Sequence, residues 1–267
     1  MPRFAANLSM LFPEHAMLDR FAAAARAGFN AVEMQFPYAW GAADIRQRLV
    51  DNGLSMVLHN LPAGHWEAGE RGIACHPDRV DEFRAGVEQA VAYAEVLGVG
   101  QLNCLAGIVP HGVAAAQAND TFLANLAYAA SNLKAHGLRL LIEPINTFDV
   151  PGFYLTHTAQ AVSVLDQLGA DNAFVQYDVY HAQRMHGELA ATLHQFLPRI
   201  GHIQVADNPG RHEPGTGEIN FRYLLDQLDA WGYDGYVGCE YIPQAPGAMG
   251  TELGLAWMDA LGYGRAA

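Results

Sequence analysis

Four polar residues in the second half of the chain each adjoin a short apolar run. Glu143 directly follows LRLLI, Asp178 follows AFVQY, Gln204 lies within HIQVA, and Glu240 follows YVGC. An unpaired charge beside buried apolar sequence is costly, and three carboxylates that converge would repel one another. A bound cation removes that conflict. Because all four residues offer oxygen, they predict a site for Mg²⁺, or for Mn²⁺, rather than Zn²⁺ or Cu²⁺. The alternative is a set of unrelated salt bridges.

A repeating pattern along the chain predicts the elements that bring these residues together. Each repeat consists of a helical segment, a glycine and a short β-rich run. The seven glycines, at positions 28, 53, 98, 137, 169, 201 and 232, are 25–45 residues apart. A glycine just past a helix end supplies the left-handed cap that turns the chain into a strand, although Pro198 already ends the helix before Gly201. One strand, two loops and a helix need about 30 residues. With an opening strand at about residues 3–8, the joints predict eight strands.

Apolar periodicity between the joints supports this alternation of strands and helices. The runs LRLLI and AFVQY are apolar at consecutive positions, as expected of parallel strands covered on both faces. The pattern predicts an α/β fold, a single (β/α)8 TIM barrel, as one domain over residues 1–267. The rival, an open doubly wound sheet, lacks its GxGxxG motif here. Helical stripes occur at Leu18, Phe21, Ala22 and Ala25, at Phe122, Leu126, Ala129 and Leu133, and at Phe221, Leu224, Leu225 and Leu228.

In a barrel of this kind the active site lies at the carboxyl ends of the strands. Any single polar residue there is also explained as a solvated or hydrogen-bonded rim residue. The predicted strand ends carry ten polar residues, namely Asn7, Glu33, His59, Asn60, Asn103, Glu143, Asp178, Gln204, Asp207 and Glu240.

Composition and charge narrow the function classes. The net charge is −13, from 15 basic and 28 acidic residues, and 51% of the residues are hydrophobic. An acidic chain of this kind disfavours binding to nucleic acid and to an anionic membrane surface. Three widely spaced cysteines without a CxxC pair, and an N-terminus interrupted by Pro13 and Glu14, indicate a cytoplasmic protein. A mean hydropathy of +0.02 permits a homo-oligomer.

Several longer segments resemble the hydroxypyruvate isomerase family, which includes 2-oxo-tetronate isomerases, within the xylose isomerase-like barrel superfamily. The segments are RFAANLSMLF, NLPAGHWEAGERGIACHP, LLIEPIN, QYDVYHAQ, HIQVADNPGRHEPGTGEINF and GYVGCEY. The resemblance implies that Glu143 and Glu240 are the catalytic acid–base pair. It also implies that Glu143, Asp178, Gln204 and Glu240 bind the metal. Related sugar epimerases usually have histidine where this chain has Gln204, and an amide oxygen favours Mg²⁺ further.

The substrate-binding residues predicted for this family member lie at strand ends and in loops over the mouth. A keto acid carries a carboxylate that needs cationic partners, and Arg71 and Arg211 are the candidates. Residues 61–77 form a long loop, which we interpret as a lid that excludes water, and residues 215–218 (GTGE) are interpreted as a tight turn rather than a phosphate-binding loop. Each residue also has a plainer explanation, such as a surface arginine or a loop-capping histidine. The complete predicted set is His59, Glu67, Arg71, His181, Asp207 and Arg211.

The resemblance implies isomerisation of a small 2-keto-3-hydroxy acid through a metal-stabilised ene-diolate. Hydroxypyruvate to tartronate semialdehyde is one case, and 2-oxo-tetronate to 3-oxo-tetronate is the other. One alternative is a ketose 3-epimerase with the same glutamates and metal. Another is a metal-stabilised binding barrel without turnover. An abasic-site endonuclease is disfavoured by the net charge of −13.

Overall fold

Eight parallel strands close into a barrel in the order of the chain, which confirms the predicted fold. The computed structural model describes residues 1–247 and 249–264. Each strand is short, and every neighbouring pair, including β1 and β8, is parallel. The strands are β1 (Arg3–Asn7), β2 (Ala31–Met34), β3 (Ser55–Asn60), β4 (Gln101–Cys104), β5 (Arg139–Ile142), β6 (Ala173–Asp178), β7 (Ile200–Val205) and β8 (Tyr236–Cys239).

Helices connect successive strands and cover the outside of the barrel. Short 3₁₀ turns at Met17–Asp19, Trp66–Ala68, Pro77–Arg79 and Leu197–Arg199 supplement them. None of the helices in the described part of the chain is long and apolar enough to cross a membrane. The α-helices are α1 (Arg20–Arg26), α2 (Ala42–Asp51), α3 (Val80–Leu97), α4 (Ala115–Ala135), α5 (Thr158–Leu168), α6 (Val179–Met185), α7 (Leu189–Phe196), α8 (Phe221–Ala230), α9 (Gly250–Gly254) and α10 (Ala256–Ala260).

Six of the seven predicted joint glycines adopt the left-handed conformation, and Gly201 is the exception. Gly98 and Gly169, for example, cap α3 and α5 with φ of 73° and 65°. Gly201 lies inside β7 instead. There a Cβ would approach Leu141 Cδ2 to 2.7 Å and Phe174 Cβ to 3.0 Å, so close packing explains the glycine rather than a turn.

The main apolar core lies between the strands and the helices. The predicted stripes of α4 and α8 are buried, whereas the stripe of α1 differs from the prediction. In α1 the buried residues are Phe21, Ala23 and Ala24, while Ala22 and Ala25 are partly exposed. The first helix is only seven residues long, and its alanines give little periodic signal.

The inside of the barrel is polar near its carboxyl end. Glu33 of β2 contacts His202 and Gln204 of β7, and these strands are not neighbours in the sheet, so the side chains meet inside the barrel. Barrels of this type usually fill that space with branched apolar side chains. The buried polar residues of the strands and their ends include Asn7, Glu33, Asn60, Asn103, Glu143, Gln176, Asp178, His202, Gln204 and Glu240.

Candidate active site

A cavity of about 420 Å³ opens at the carboxyl ends of the strands, where the fold predicts an active site. Glu143 and Glu240 both line it, together with His181, Arg71 and Arg211. The two glutamates therefore share one space, as a proton shuttle between them requires. Another cavity, at the opposite end around Phe4 and Tyr263, has no side-chain carboxylate among those of its lining residues that the structure describes.

Glu143 and Asp178 are buried at the ends of neighbouring strands. Glu143 follows β5 and accepts a hydrogen bond from Asn103 Nδ2 at 2.8 Å. Asp178 ends β6 and caps α6 by accepting from the backbone N–H of Tyr180 at 2.8 Å. Burial raises the pKa of Glu143 well above its usual value, and the negative charges of Glu240 and Asp178 add to that rise. Burial also raises the pKa of Asp178, although Arg211 offsets part of it.

Glu240 follows β8 and is held by three side chains. Its Oε1 accepts from Asn7 Nδ2 at 2.9 Å and from Gln35 Nε2 at 3.0 Å. Its Oε2 accepts from the guanidinium of Arg211 at 2.7 Å, and the same guanidinium lies 3.5 Å from Asp178. Burial raises the pKa of Glu240 to about 7, while the positive charge of Arg211 limits the rise. Glu240 can therefore exist in either protonation state near neutral pH.

The side chain of Gln204 lies inside the barrel rather than on the wall of the cavity. It is paired in register with Asp178 on the neighbouring strand. Its Nε2 donates to Glu33 at 2.7 Å, and its Oε1 accepts from Gln176 Nε2 at 2.7 Å. The structure thus brings the carboxylates of Glu143 and Glu240 into the cavity, with Asp178 close by and Gln204 on the strand beside it.

The donor set fits a divalent cation. Carboxylate oxygens of Glu143 and Asp178 lie within 4.8 Å of each other and of one ring nitrogen of His181. When ionised, the three buried carboxylates of the site face the single guanidinium of Arg211, which leaves an excess of two negative charges. Burial is the largest cause of the raised pKa values of all three carboxyl groups, and repulsion from neighbouring carboxylates adds to it. A hard divalent cation with oxygen ligands would balance the excess negative charge.

His181 of α6 directs one ring nitrogen towards the carboxylates. The oxygen of Asn146 accepts from the backbone N–H groups of Phe148 and Asp149, at 3.1 and 2.9 Å, so its NH₂ faces His181 Nδ1 at 2.6 Å. Nδ1 is therefore an acceptor, and the proton of the neutral ring lies on Nε2, 3.6 Å from Asp178. Burial and the charges of Arg211 and Arg184 hold the pKa of His181 well below its usual value.

The predicted lid loop contributes Trp66 and Arg71 to the cavity. The guanidinium of Arg71 stacks over the Trp66 ring at 4.0 Å and donates to the backbone oxygens of Trp66 and Glu70. Within residues 1–247 and 249–264, no carboxylate pairs with Arg71, so its charge is available to a ligand. Glu67 is exposed on the same turn and does not line the cavity.

Asp207 organises the loop that carries Arg211. Its buried carboxylate accepts four backbone N–H bonds, from Asn208, Gly215 and Gly217 at 2.9 Å and from Ile219 at 3.1 Å. The GTGE segment is therefore a turn wrapped around an aspartate, not a phosphate-binding loop. The sequence predicted Arg211 and Asp207, at the start of this loop, as substrate contacts. Arg211 lies in the cavity. The oxygens of Asp207 instead accept hydrogen bonds from the backbone of the loop.

His59 is turned away from the cavity, contrary to its predicted role in substrate contact. It is paired in register with Met34 and Leu102, which belong to the core outside the barrel. Its Nδ1 lies 3.3 Å from the hydroxyl of Tyr38. Burial lowers the pKa of His59 to about 4. The reason is the alternation of side chains along a strand, since the next residue, Asn60, lines the cavity instead.

Sequence reasoning missed three other polar residues of the cavity wall, namely Gln35, Asp149 and Tyr180. Gln35 lies two residues after Glu33, and strand alternation was the signal for it. Asp149 accepts from Tyr180 at 2.9 Å and pairs with Arg184, in a loop that no sequence pattern marked.

Comparisons with known proteins cover nearly the whole chain. The profile of the xylose isomerase-like TIM barrel family matches residues 21–261. Hydroxypyruvate isomerase of Escherichia coli (strain K12) is 52% identical over 259 residues, which are 97% of this chain and 99% of the relative. A 2-oxo-tetronate isomerase of Cupriavidus necator is 48% identical over 258 residues, 97% of this chain and 98% of the relative.

One solved structure is also similar at high identity. It is described as an AP endonuclease of family 2 from Brucella melitensis, and it matches with a TM-score of 0.93 and 43% identity over 97% of this chain and 99% of that one. The fold, the shared cavity and the two named isomerases agree with the resemblance seen in the sequence. The chain therefore belongs to the xylose isomerase-like TIM barrel family and, within it, to the group of hydroxypyruvate and 2-oxo-tetronate isomerases, and it is an isomerase.

Proposed function

We propose that this isomerase acts on a small 2-keto-3-hydroxy acid. The candidate reactions are hydroxypyruvate to tartronate semialdehyde and 2-oxo-tetronate to 3-oxo-tetronate, which the names of the two relatives support. The observation that carries the proposal is the pair of buried glutamates, Glu143 and Glu240, in one cavity. A reaction that moves a proton between adjacent carbons needs a base to remove the proton and an acid to return it, and two such glutamates can divide these roles between them.

Proton transfer is the step that Glu143 and Glu240 perform in this proposal. One carboxylate removes the proton from the hydroxyl-bearing carbon next to the carbonyl, and the proton of that hydroxyl passes to the former carbonyl oxygen. The other glutamate, in its acid form, then protonates the former carbonyl carbon, so that the hydroxyl-bearing carbon becomes the new carbonyl. Because the pKa of Glu240 is raised to about 7, that residue can serve in either role at neutral pH. Which glutamate is the base in the forward direction depends on how the substrate lies between them.

We propose Mg²⁺, with Mn²⁺ as a substitute, as the cofactor, bound by Glu143, Asp178, Gln204 and Glu240. When bound, the cation supplies Lewis-acid stabilisation of negative charge on the substrate oxygens. Arg211 already performs part of the charge balance, since it bridges Asp178 and Glu240. Asn7 and Gln35 hold Glu240 in place through its Oε1.

The remaining cavity residues would bind and orient the keto acid. His181 presents Nε2–H as a donor for a substrate oxygen, because Asn146 occupies its other ring nitrogen. Arg71 is the cation of the cavity that lacks a carboxylate partner among the described residues, so we assign it the substrate carboxylate. Trp66 keeps the Arg71 guanidinium in place and adds to the cover over the cavity.

The compartment that we propose is the cytoplasm. Cys75, Cys104 and Cys239 are all free and buried, which supports a reducing environment.

A coupled assay of the purified protein tests the proposal. Hydroxypyruvate and 2-oxo-tetronate are each offered with Mg²⁺ and with EDTA, and product analysis distinguishes isomerisation from epimerisation of a free ketose. We expect turnover of at least one keto acid, lost in EDTA and restored by Mg²⁺. Binding of the keto acid without turnover in Mg²⁺ would instead indicate a binding barrel, and activity that persists in EDTA would exclude the metal.

A further inference from the structure

A buried carboxylate that the proposed proton transfer does not use lies inside the barrel, next to the cavity. Glu33 of β2 is fully buried. Its oxygens accept from three side chains, Asn7 Nδ2 at 2.9 Å, Gln204 Nε2 at 2.7 Å and His202 Nε2 at 2.7 Å. Burying a carboxylate costs free energy even when it is hydrogen-bonded, and apolar side chains normally fill this space. Stability alone therefore does not explain why an acid occupies position 33.

The barrel leaves room for this carboxylate at one residue of β8. A Cβ on Gly238 would lie 2.5 Å and 2.6 Å from the two oxygens of Glu33, well inside van der Waals contact. Any larger residue at position 238 would displace the acid. Glycine at position 238 thus leaves the space that the side chain of Glu33 fills.

The chemistry of a carboxylate determines how the Gln204 amide is oriented. An ionised carboxylate only accepts hydrogen bonds, so the Gln204 atom that faces Glu33 must be the NH₂ group. The amide oxygen then lies on the other side. There it accepts one bond, from Gln176 Nε2 at 2.7 Å, and retains a second lone pair. Without the acceptor at position 33, a half-turn of the amide would replace that oxygen by NH₂, which cannot bind a cation.

Asn7, the other amide that contacts Glu33, does not depend on it in the same way. The Asn7 oxygen accepts from the backbone N–H of Ser9 at 3.0 Å, which already directs the NH₂ group towards Glu240 at 2.9 Å. Among residues 1–247 and 249–264, the side chain of Gln204 has no such backbone contact, and its partners are the side chains of Glu33 and Gln176. Loss of Glu33 should therefore disturb Gln204 more than Asn7.

We propose that Glu33 is a positioning residue of the cation site, which acts by fixing the direction of the Gln204 amide. This inference rests on the proposed function, because that function assigns Gln204 to the metal. Partners that orient metal ligands typically change metal affinity by about 10- to 100-fold when they are removed. The effect of Glu33 should be of that size and should require Gln204.

The test is Mg²⁺ binding to the substrate-free protein, measured by calorimetry for the wild type and for Glu33→Met, which removes both acceptor oxygens. We expect about 10- to 100-fold weaker binding in Glu33→Met and a smaller loss in Glu33→Gln, whose amide oxygen can still accept from Gln204 Nε2. Excess Mg²⁺ should restore turnover. The control is Glu88→Met on the exposed surface of α3, where Glu88 accepts from the hydroxyl of Tyr128 at 3.1 Å, and its Mg²⁺ affinity should not change.

The Gln204→Ala background identifies the route. There, Glu33→Met should cause little further loss of affinity, whereas an equal loss in both backgrounds would overturn the proposal, as would unchanged affinity of Glu33→Met in the wild-type background. A crystal structure of metal-free Glu33→Met adds a readout that needs no cation, and we expect the Gln204 amide to leave its position. An unmoved amide would also refute the idea. If the wild type turns over substrate without Mg²⁺, the metal requirement of the proposed function is refuted. The crystal structures would still show whether Glu33 fixes the direction of the Gln204 amide.

Discussion

Asp207 offers the sharpest test of how the fold builds the cavity. The sequence suggested a substrate contact, whereas the structure surrounds its carboxylate with four backbone N–H groups of residues 208–219. That loop carries Arg211 to Glu240. In Asp207→Asn, the amide has the same size but only one oxygen. Two of the four N–H groups then face an NH₂ group, and two hydrogen bonds are lost.

The cost of this substitution follows from the bonds that are lost. A hydrogen bond to a charged group contributes about 1.5–3 kcal/mol, so the loss of two corresponds to about 3–6 kcal/mol. Because the four bonds belong to one loop, the cost should appear first as local opening of that loop. Opening would release Arg211 from Glu240 and Asp178, so kcat should fall together with stability.

Hydrogen exchange followed by mass spectrometry measures the local opening. We expect faster exchange at Gly215, Gly217 and Ile219 in Asp207→Asn, with a lower unfolding temperature and a lower kcat. Asp171→Asn is the control, because Asp171 pairs with Lys134 on the exposed surface and its loss should change little. A variant with unchanged exchange and stability but a raised KM would refute the loop-anchor role and restore the substrate contact.

Three further predictions concern the cavity. Glu143→Gln and Glu240→Gln should each lower turnover by about 10²- to 10⁴-fold and, to the same extent, the incorporation of solvent deuterium into the product. Unchanged incorporation in either variant would remove that residue from the pair. Arg71→Met should lower kcat/KM by about 10- to 100-fold, the equivalent of one charged hydrogen bond, mainly through KM, with an unchanged unfolding temperature; an unchanged KM would show that the substrate carboxylate binds elsewhere. Burial raises the pKa of Glu240 to about 7 and that of Glu143 well above its usual value. At a pH above the usual pKa of a carboxyl group, the folded, metal-free protein therefore holds more protons than the unfolded chain. Its unfolding temperature in EDTA should therefore fall as the pH rises towards and through 7, and a rise would contradict the raised pKa values.

The barrel and the strand ends were predictable because both follow from local patterns. Glycine at helix ends, such as Gly98 and Gly169, and the apolar runs before Glu143 and Asp178 are properties of neighbouring residues. The carboxyl ends of parallel strands meet by topology alone, so Glu143 and Glu240 had to approach one another once eight strands closed.

The direction of individual side chains was beyond local patterns. His59 and Asn60 are adjacent, so alternation along β3 turns them in opposite directions, and the pairing of β3 with β2 and β4 accompanies the outward direction of His59. Asp207 follows β7, but the loop that folds back onto it uses up its oxygens. Such outcomes depend on contacts between residues that are distant in sequence or on strand register.

The sequence by itself determined the fold class, the positions of the strand ends and the residues that supply carboxylates there, because these depend on spacing and residue type along the chain. Only the tertiary structure decided which polar groups are hydrogen-bonded or ion-paired to other residues and which are left to bind a ligand. It places Arg211 between Asp178 and Glu240, and it joins Glu33 to Gln204 across the barrel. The physical reason is that hydrogen bonds and charges act over a few ångströms in space, and closure of the barrel brings together residues as far apart as Glu33 and Gln204.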